Sequence, residues 1–331
     1  MMVRLNSINS SLKPGARSRI KPLDIKTKVI VVLGLTSSGK SGLAVKLALR
    51  LRSGQARRLG YKGAEIISAD SRQVYRGLDI GSGKITKKEM RGVPHHLLGV
   101  ASPKRVFTVA NFKCLADKKI KEIVSRGKIP IVVGGTGFYI RSVVHNVVIP
   151  AVKPNKKLRR ELEDKTPEEL AQILRRLDYR RWKEIDKKNK RRLARAIEIA
   201  ESLGKVPPLK ADPINADFKL IGIKTGKDKL KKLITRRVKG MVKRGLINET
   251  ARLLKNGITE RRIREFGFEY QDALKYLNGE IESKEGLANS IIRRTLDYTK
   301  RQMTWFKRDK DIIWITDPRK AYATVRDFLA H

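Results

Sequence analysis

Acidic residues are scarce in this chain. Its 331 residues hold 33 Asp and Glu against 76 Lys and Arg, a formal charge of +43. Such a surface repels itself unless it meets a polyanion. Nucleic acid is the first expected partner and an anionic membrane surface the second, although a uniformly basic proteome would give the same bias. Cysteine is rarer still. Cys114 stands alone, which excludes an intrachain disulfide and a cysteine-based zinc site. A lone cysteine fits a reducing compartment, and a cytoplasmic location is expected. The four histidines, His95, His96, His145 and His331, show no metal-ligand spacing. No apolar run approaches the roughly 20 residues that span a bilayer, which excludes a spanning helix; no membrane partner is expected.

What is present is a phosphate loop. Gly34-Leu-Thr36-Ser37-Ser38-Gly39-Lys40-Ser41 has two glycines four residues apart, then Lys and Ser. The apolar run Val29 to Leu33 reads as a buried strand before it, and Gly42 to Leu51 as a helix after it. Glycines let backbone N–H groups wrap an anion, and the helix N-terminus adds partial positive charge. Lys40 can reach the outer phosphate, and the Ser41 hydroxyl can hold Mg²⁺. The pattern by itself is that of ATP-binding proteins, and a di- or triphosphate is the expected ligand.

The first 26 residues are basic, Ser-rich and nearly free of acid, and read as a disordered arm; the composition also suits a transit peptide or a misplaced start codon. From 27 to about 150, strands alternate with helices: Ala64 to Ala69, then a helix within Val106 to Ser125, then Ile129 to Val133. That alternation predicts an α/β fold, a phosphate-loop NTPase-like parallel sheet flanked by helices. Ligands on such sheets sit at the carboxyl ends of the strands. Gly34–Ser41, Asp70–Tyr75 and Gly134–Tyr139 all fall at that edge. From 151 to 206 charged amphipathic helices dominate, predicted at 157–163, 167–177 and 190–203, and form a helical insertion lobe. The remainder, 207–331, reads as more core, mostly helical. Lys219 to Ile223 is a returning strand there, and Lys227–Leu254 and Lys284–Lys307 are long helices.

A nucleotide hydrolase normally places a second acid after a strand to hold Mg²⁺. Here the third strand runs into Gly134-Gly135. The strand-terminal acid is instead Asp70, which could hold Mg²⁺, act as a general base on an acceptor, or cap the loop after it.

These segments together resemble the tRNA dimethylallyltransferases, also called tRNA isopentenyltransferases, of bacterial type. The resemblance lies in Asp70-Ser71-Arg72-Gln73-Val-Tyr75, Gly77-Leu-Asp-Ile-Gly81, Val93-Pro-His-His-Leu97, Gly127 to Tyr139, Gly267-Phe268 and Lys300-Arg-Gln-Met-Thr-Trp-Phe306. It spans roughly 28–307. It implies that the loop, with Gly34, Thr36, Ser37, Ser38, Gly39, Lys40 and Ser41, holds the diphosphate of dimethylallyl diphosphate rather than ATP. Arg237 and Mg²⁺ help neutralise the departing diphosphate. It implies prenyl transfer to N6 of adenosine 37 in tRNAs reading codons that begin with U. Asp70 matches the base that accepts the amine proton, and Thr136 the threonine near the reacting centre. Asp70, Ser71, Arg72, Gln73, Thr136, Arg159, Arg191, Arg192, Arg195 and Arg264 fall on tRNA-contacting segments. The lobe would grip the anticodon stem-loop, and a monomer is expected.

The chain departs from the family pattern at Phe268 and Glu269, where Tyr and then a basic residue are common, and at Leu233, where Arg is common. His95 and His96 read as packing or loop-fixing residues. Rival readings are an adenylate isopentenyltransferase acting on free AMP, ADP or ATP, a phosphate-loop small-molecule kinase, and a non-catalytic RNA-binding protein. The helical lobe and the charge favour RNA over the first, and the absent second acid speaks against the second.

Overall fold

The computed structural model describes residues 27–52, 55–208 and 216–331. The N-terminal arm expected at 1–26 lies outside them. The chain divides into two units, one within 147–208 and the other comprising 27–146 and 216–331.

The larger unit is built on a six-stranded sheet. Its strands are β1 (Thr27–Gly34), β2 (Ala64–Ser68), β3 (His95–His96), β4 (Ile129–Gly134), β5 (Ala216–Ile223) and β6 (Ile313–Ile315). The order is β3-β2-β4-β1-β5-β6 and every pair is parallel. Val29 to Leu33 is apolar throughout because both faces of β1 are covered. Ile30 and Val32 pack towards the helices Lys40–Arg50 and Pro318–Ala330. Val29, Val31 and Leu33 pack towards Val109–Ser125 and Gly137–Val144. This is the two-residue alternation of a strand expressed on two buried faces.

Register positions the site. Leu33 lies beside Gly134 across β1 and β4, and Ser68 lies beside Val133 across β2 and β4. The segments leaving these three strands therefore start side by side. A third apolar cluster, over the helices Lys227–Lys243, Leu246–Lys255, Phe268–Leu277 and Lys284–Phe306, buries Val74, Tyr75 and Leu78 of the loop after β2.

Several expectations need correction. The single helix predicted over Lys227–Leu254 is two, because Gly245 takes a left-handed conformation (φ 98°) that ends one helix and opens the next. The helix expected within 106–125 begins at Val109, where Thr108 accepts the N–H of Asn111 in a capping box. The returning strand starts at Ala216, outside the predicted 219–223, and extends along all of β1. β3 and β6 span two and three residues and were not predicted, since so short a run carries no readable alternation.

The smaller unit holds the helices Lys156–Glu161, Pro167–Leu177, Tyr179–Glu184 and Lys190–Leu203 around Leu158, Leu170, Leu174, Leu193 and Ile197. The helix at 179–184 was not predicted. Asp178 makes it, accepting the N–H of Arg181 at its start and the N–H of Val206 from the returning chain. The unit starts four residues before the expected lobe boundary at 151.

Candidate active site

The phosphate loop connects β1 to the helix Lys40–Arg50. Gly39 (φ 86°) and Ser37 (φ 63°) take left-handed conformations that curl it. Ser37 Oγ and Ser38 Oγ are buried with no hydrogen-bond partner among the described residues. Buried hydroxyls are normally satisfied, so two orphans in one loop mark a place for an external acceptor. Lys40 Nζ donates to Leu35 O at 3.1 Å. Burial, then the charge of Arg237, lowers the Lys40 pKa to about 8 against the pull of Asp70.

Asp70 stands two residues past β2. One carboxylate oxygen, Oδ1, accepts the N–H of Arg72 (2.8 Å) and of Gln73 (3.3 Å). Asp70 is thus a loop cap, yet Oδ2 stays uncommitted by these bonds. A small pocket that opens to solvent joins Asp70 to Lys40, Ser41, Gln73, His95 and Gly134. Gly134 occupies the position where a second acid was looked for. A Cβ there would collide with the Ala69 carbonyl, so no side chain fits.

Thr136 heads the helix Gly137–Val144, and its Oγ1 accepts the N–H of Ser71 at 3.2 Å. This ties the Gly-Gly-Thr loop to the Asp70 loop and leaves the hydroxyl hydrogen free to donate. Arg237 reaches in from the helix Lys227–Lys243. It donates to Thr36 Oγ1 (3.2 Å) and to Ser82 O (3.3 Å), so it touches the phosphate loop from a site 201 residues away in sequence. Gln73, expected to contact RNA, is engaged internally through Nε2 to Gly83 O at 3.3 Å. Burial pushes Glu269 up to about 7, against its own backbone N–H and then Arg237 and Arg72. The departure at this position therefore places a carboxyl in the field of Arg237, Arg72 and Asp70.

Two positioning residues went unread in the sequence. Gln302 accepts the Thr36 N–H (3.0 Å) and donates to Gly135 O (2.8 Å), clamping the phosphate loop to the Gly-Gly-Thr loop. Its place inside the Arg-Gln-Met-Thr-Trp string was the available signal. Buried Glu249 accepts the N–H groups of Asp79, Ile80 and Gly81 and the Tyr270 hydroxyl. That shapes the turn whose Ser82 carbonyl receives Arg237, and no local pattern around Glu249 announces it.

The remaining predicted arginines differ in how free they are. In the smaller unit, Arg159 and Arg195 both bind the carboxylate of Glu198, which is buried. Arg191 and Arg192 are exposed, and Arg192 approaches Asp186 at 3.9 Å. In the larger unit Arg264 is exposed and pairs with Glu260 at 3.1 Å. The smaller unit also carries an exposed Tyr179 stacked on Trp182 at 5.4 Å, with Lys187 4.0 Å above the Trp182 ring.

A family model described as IPP transferase matches residues 73–309. A tRNA dimethylallyltransferase of Anoxybacillus flavithermus is 37% identical over 87% of this chain and 89% of its own length. One of Halalkalibacterium halodurans is 35% identical over 92% and 98%. The crystal structure of the full-length tRNA isopentenylpyrophosphate transferase of Bacillus halodurans aligns with a TM-score of 0.65 at 35% identity, covering 92% of this chain and 96% of that one. A eukaryotic dimethylallyltransferase caught acting on tRNA aligns at 0.72 with 25% identity, covering 92% and 80%.

Proposed function

The chain belongs to the IPP transferase family, and from that premise we propose that it transfers the dimethylallyl group of dimethylallyl diphosphate to N6 of adenosine 37 in tRNAs reading codons that begin with U. The observation that carries this reading is the company the phosphate loop keeps. Lys40, Ser41 and Arg237 gather around an anion cradle, and the acid sharing its pocket is Asp70, held beside Thr136. That set suits a diphosphate leaving group and a nucleophile needing a base.

The adenosine must leave its stack to reach such a crevice. Asp70 Oδ2 accepts the amine proton as N6 attacks the prenyl carbon. The bond from that carbon to the diphosphate oxygen breaks, and the charge left on the diphosphate is met by Lys40, the loop N–H groups and Arg237. Thr136 donates its hydroxyl near the reacting centre. A Mg²⁺ ion would be held here by the Ser41 hydroxyl, with Asp70 beside it in the same pocket. Among the described residues no group of three or more His, Cys, Asp or Glu could hold a metal, so substrate oxygens and water would complete its shell. Bound there, the cation would neutralise diphosphate charge. Labelled dimethylallyl diphosphate incubated with tRNA, and separately with AMP, tests the reading. Transfer to tRNA alone is expected; transfer to AMP alone would establish the adenylate isopentenyltransferase, and ATP turnover without transfer a kinase.

The Lys40 pKa sets a pH dependence. In the free chain Lys40 is charged below about 8 and neutral above it. Dimethylallyl diphosphate affinity is therefore expected to fall as pH rises through 8, with proton uptake on binding above that value. Calorimetry in buffers of different ionisation enthalpy measures this. An equally steep fall in Lys40→Met would remove Lys40 as the cause.

The exposed arginines of the smaller unit, the lobe proposed to grip the anticodon stem-loop, support the RNA part. Replacing Arg191 and Arg192 by Ala is expected to weaken tRNA binding and reduce the slope of log affinity against log salt by about 0.7–0.9 for each phosphate that the variant no longer neutralises. Diphosphate binding should stay intact. Arg195→Ala should additionally lower the thermal midpoint, because Glu198 would stay buried with one cation fewer. An unchanged salt slope in the double variant would make this run a solvated face. We further infer a monomeric enzyme in the cytoplasm, where a tRNA substrate is met; among the described residues no helix is long and apolar enough to cross a membrane.

A further inference from the structure

His95 and His96 are neighbours on β3, and their rings do different things. His96 Nε2 sits 2.7 Å from Glu65 Oε2, in a cluster where Arg126 and Lys128 hold the same carboxylate. That histidine is a brace within the sheet, the loop-fixing role expected of the pair. His95 points to the other face, as successive strand residues do. Its Nδ1 lies 2.8 Å from the Val93 carbonyl. A carbonyl only accepts, so Nδ1 carries the hydrogen, and Nε2 of the neutral ring is a bare acceptor. Nε2 is buried and has no hydrogen-bond partner among the described residues. The ring lines the pocket that also holds Lys40, Ser41 and Asp70. A buried acceptor left empty is costly, and such an orphan beside a ligand site calls for a donor from the ligand.

We propose that His95 Nε2 accepts a hydrogen bond from a water of the divalent cation bound with the diphosphate, so that the pocket beside the phosphate loop is a site for a hydrated cation. This rests on the diphosphate reading above. Ser41 can supply the cation one protein oxygen, with Asp70 beside it. A small hard cation with so few protein ligands keeps several waters. Those waters are polarised into strong donors and need acceptors. Among the side chains lining this pocket, acceptors include Asp70, the Gln73 amide oxygen, which already takes the Ser68 hydroxyl at 3.3 Å, and His95 Nε2, which has no partner among the described residues. Direct coordination by the imidazole is disfavoured, because a hard cation of this type selects oxygen. Lys40 is the cationic donor lining the pocket, but its ammonium donates to the Leu35 carbonyl. His95 is on this account a positioning residue, acting on the cation through its water shell.

The test measures binding, with the full chain and inorganic diphosphate as the probe, in Mg²⁺ and in EDTA. Loss of an outer-shell partner typically weakens metal binding 10–100-fold. His95→Leu is therefore expected to lower diphosphate affinity about 10-fold in Mg²⁺ and to leave affinity in EDTA unchanged. His95→Gln, whose amide can still present an acceptor, should stay within about threefold of wild type in both. His95→Met serves as a second apolar variant should the leucine form fail to fold, and thermal midpoints check each protein. An equal loss in Mg²⁺ and EDTA would overturn the proposal, placing His95 on the loop or on the diphosphate itself. No loss in Mg²⁺ would also overturn it. A wild-type chain that binds no diphosphate under either condition would instead overturn the reading beneath it, and the proposal with it.

Discussion

Asp70→Asn is expected to slow single-turnover prenyl transfer to tRNA by about 10²–10⁴-fold, the usual weight of a general base, with little change in dimethylallyl diphosphate affinity. The exocyclic amine of adenine is a poor nucleophile because its lone pair is delocalised into the ring. A carboxylate that accepts a hydrogen bond from the amine, and then its proton, makes attack easier. The structure dictates the choice of asparagine over alanine. Asp70 Oδ1 caps the following loop through the N–H groups of Arg72 and Gln73. Alanine would remove cap and base together. Asparagine keeps an oxygen for the cap and puts an NH₂ group where Oδ2 stood, which can neither accept a hydrogen bond from N6 nor take its proton. Asp70→Asn separates the two roles. Wild-type transfer by Asp70→Asn, with slow transfer by Asp70→Ala, would make Asp70 a structural cap.

Arg237→Ala should behave differently, weakening donor binding and also slowing the saturated single-turnover rate. Negative charge on the diphosphate grows as the bond to the prenyl carbon breaks, so a cation there stabilises the transition state more than the ground state. Removal of one preorganised donor of this kind typically costs about 10²–10³ in rate. The guanidinium uses one nitrogen for Thr36 Oγ1 and another for Ser82 O, so Arg237→Lys should rescue the charge but not the geometry and remain well below wild type. The competing carboxyl of Glu269 lies in the same field. If affinity falls while the saturated rate stays at the wild-type value, Arg237 binds substrate and transition state alike, and its assignment to leaving-group stabilisation fails.

Some of this was open to reading from the residues alone, and the division has a physical basis. The strand Val29 to Leu33, the loop to Ser41 and the helix beyond it are local: a run buried on both faces, glycines at the turns, and a helical period. The Asp70 and Gly134–Thr136 loops could be placed at the same sheet edge, because parallel strands end on one side. The sequence by itself thus determined the parallel sheet, the anion cradle, the missing second acid and the basic surface, each set by neighbours in the chain or by composition. Only the tertiary structure decided the rest. It split Lys227–Leu254 at Gly245, and it brought Arg237 and Gln302 onto a loop more than 200 residues away. It spent Arg159 and Arg195 on a buried glutamate and left Arg191 and Arg192 exposed. It parted His96, tied to Glu65, from His95, whose Nε2 is unpartnered among the described residues. Pairings between distant residues leave no period or spacing to read. They form when the sheet edge and the helices packed above it close on one another, and burial then determines which polar atoms find partners and which remain for a ligand.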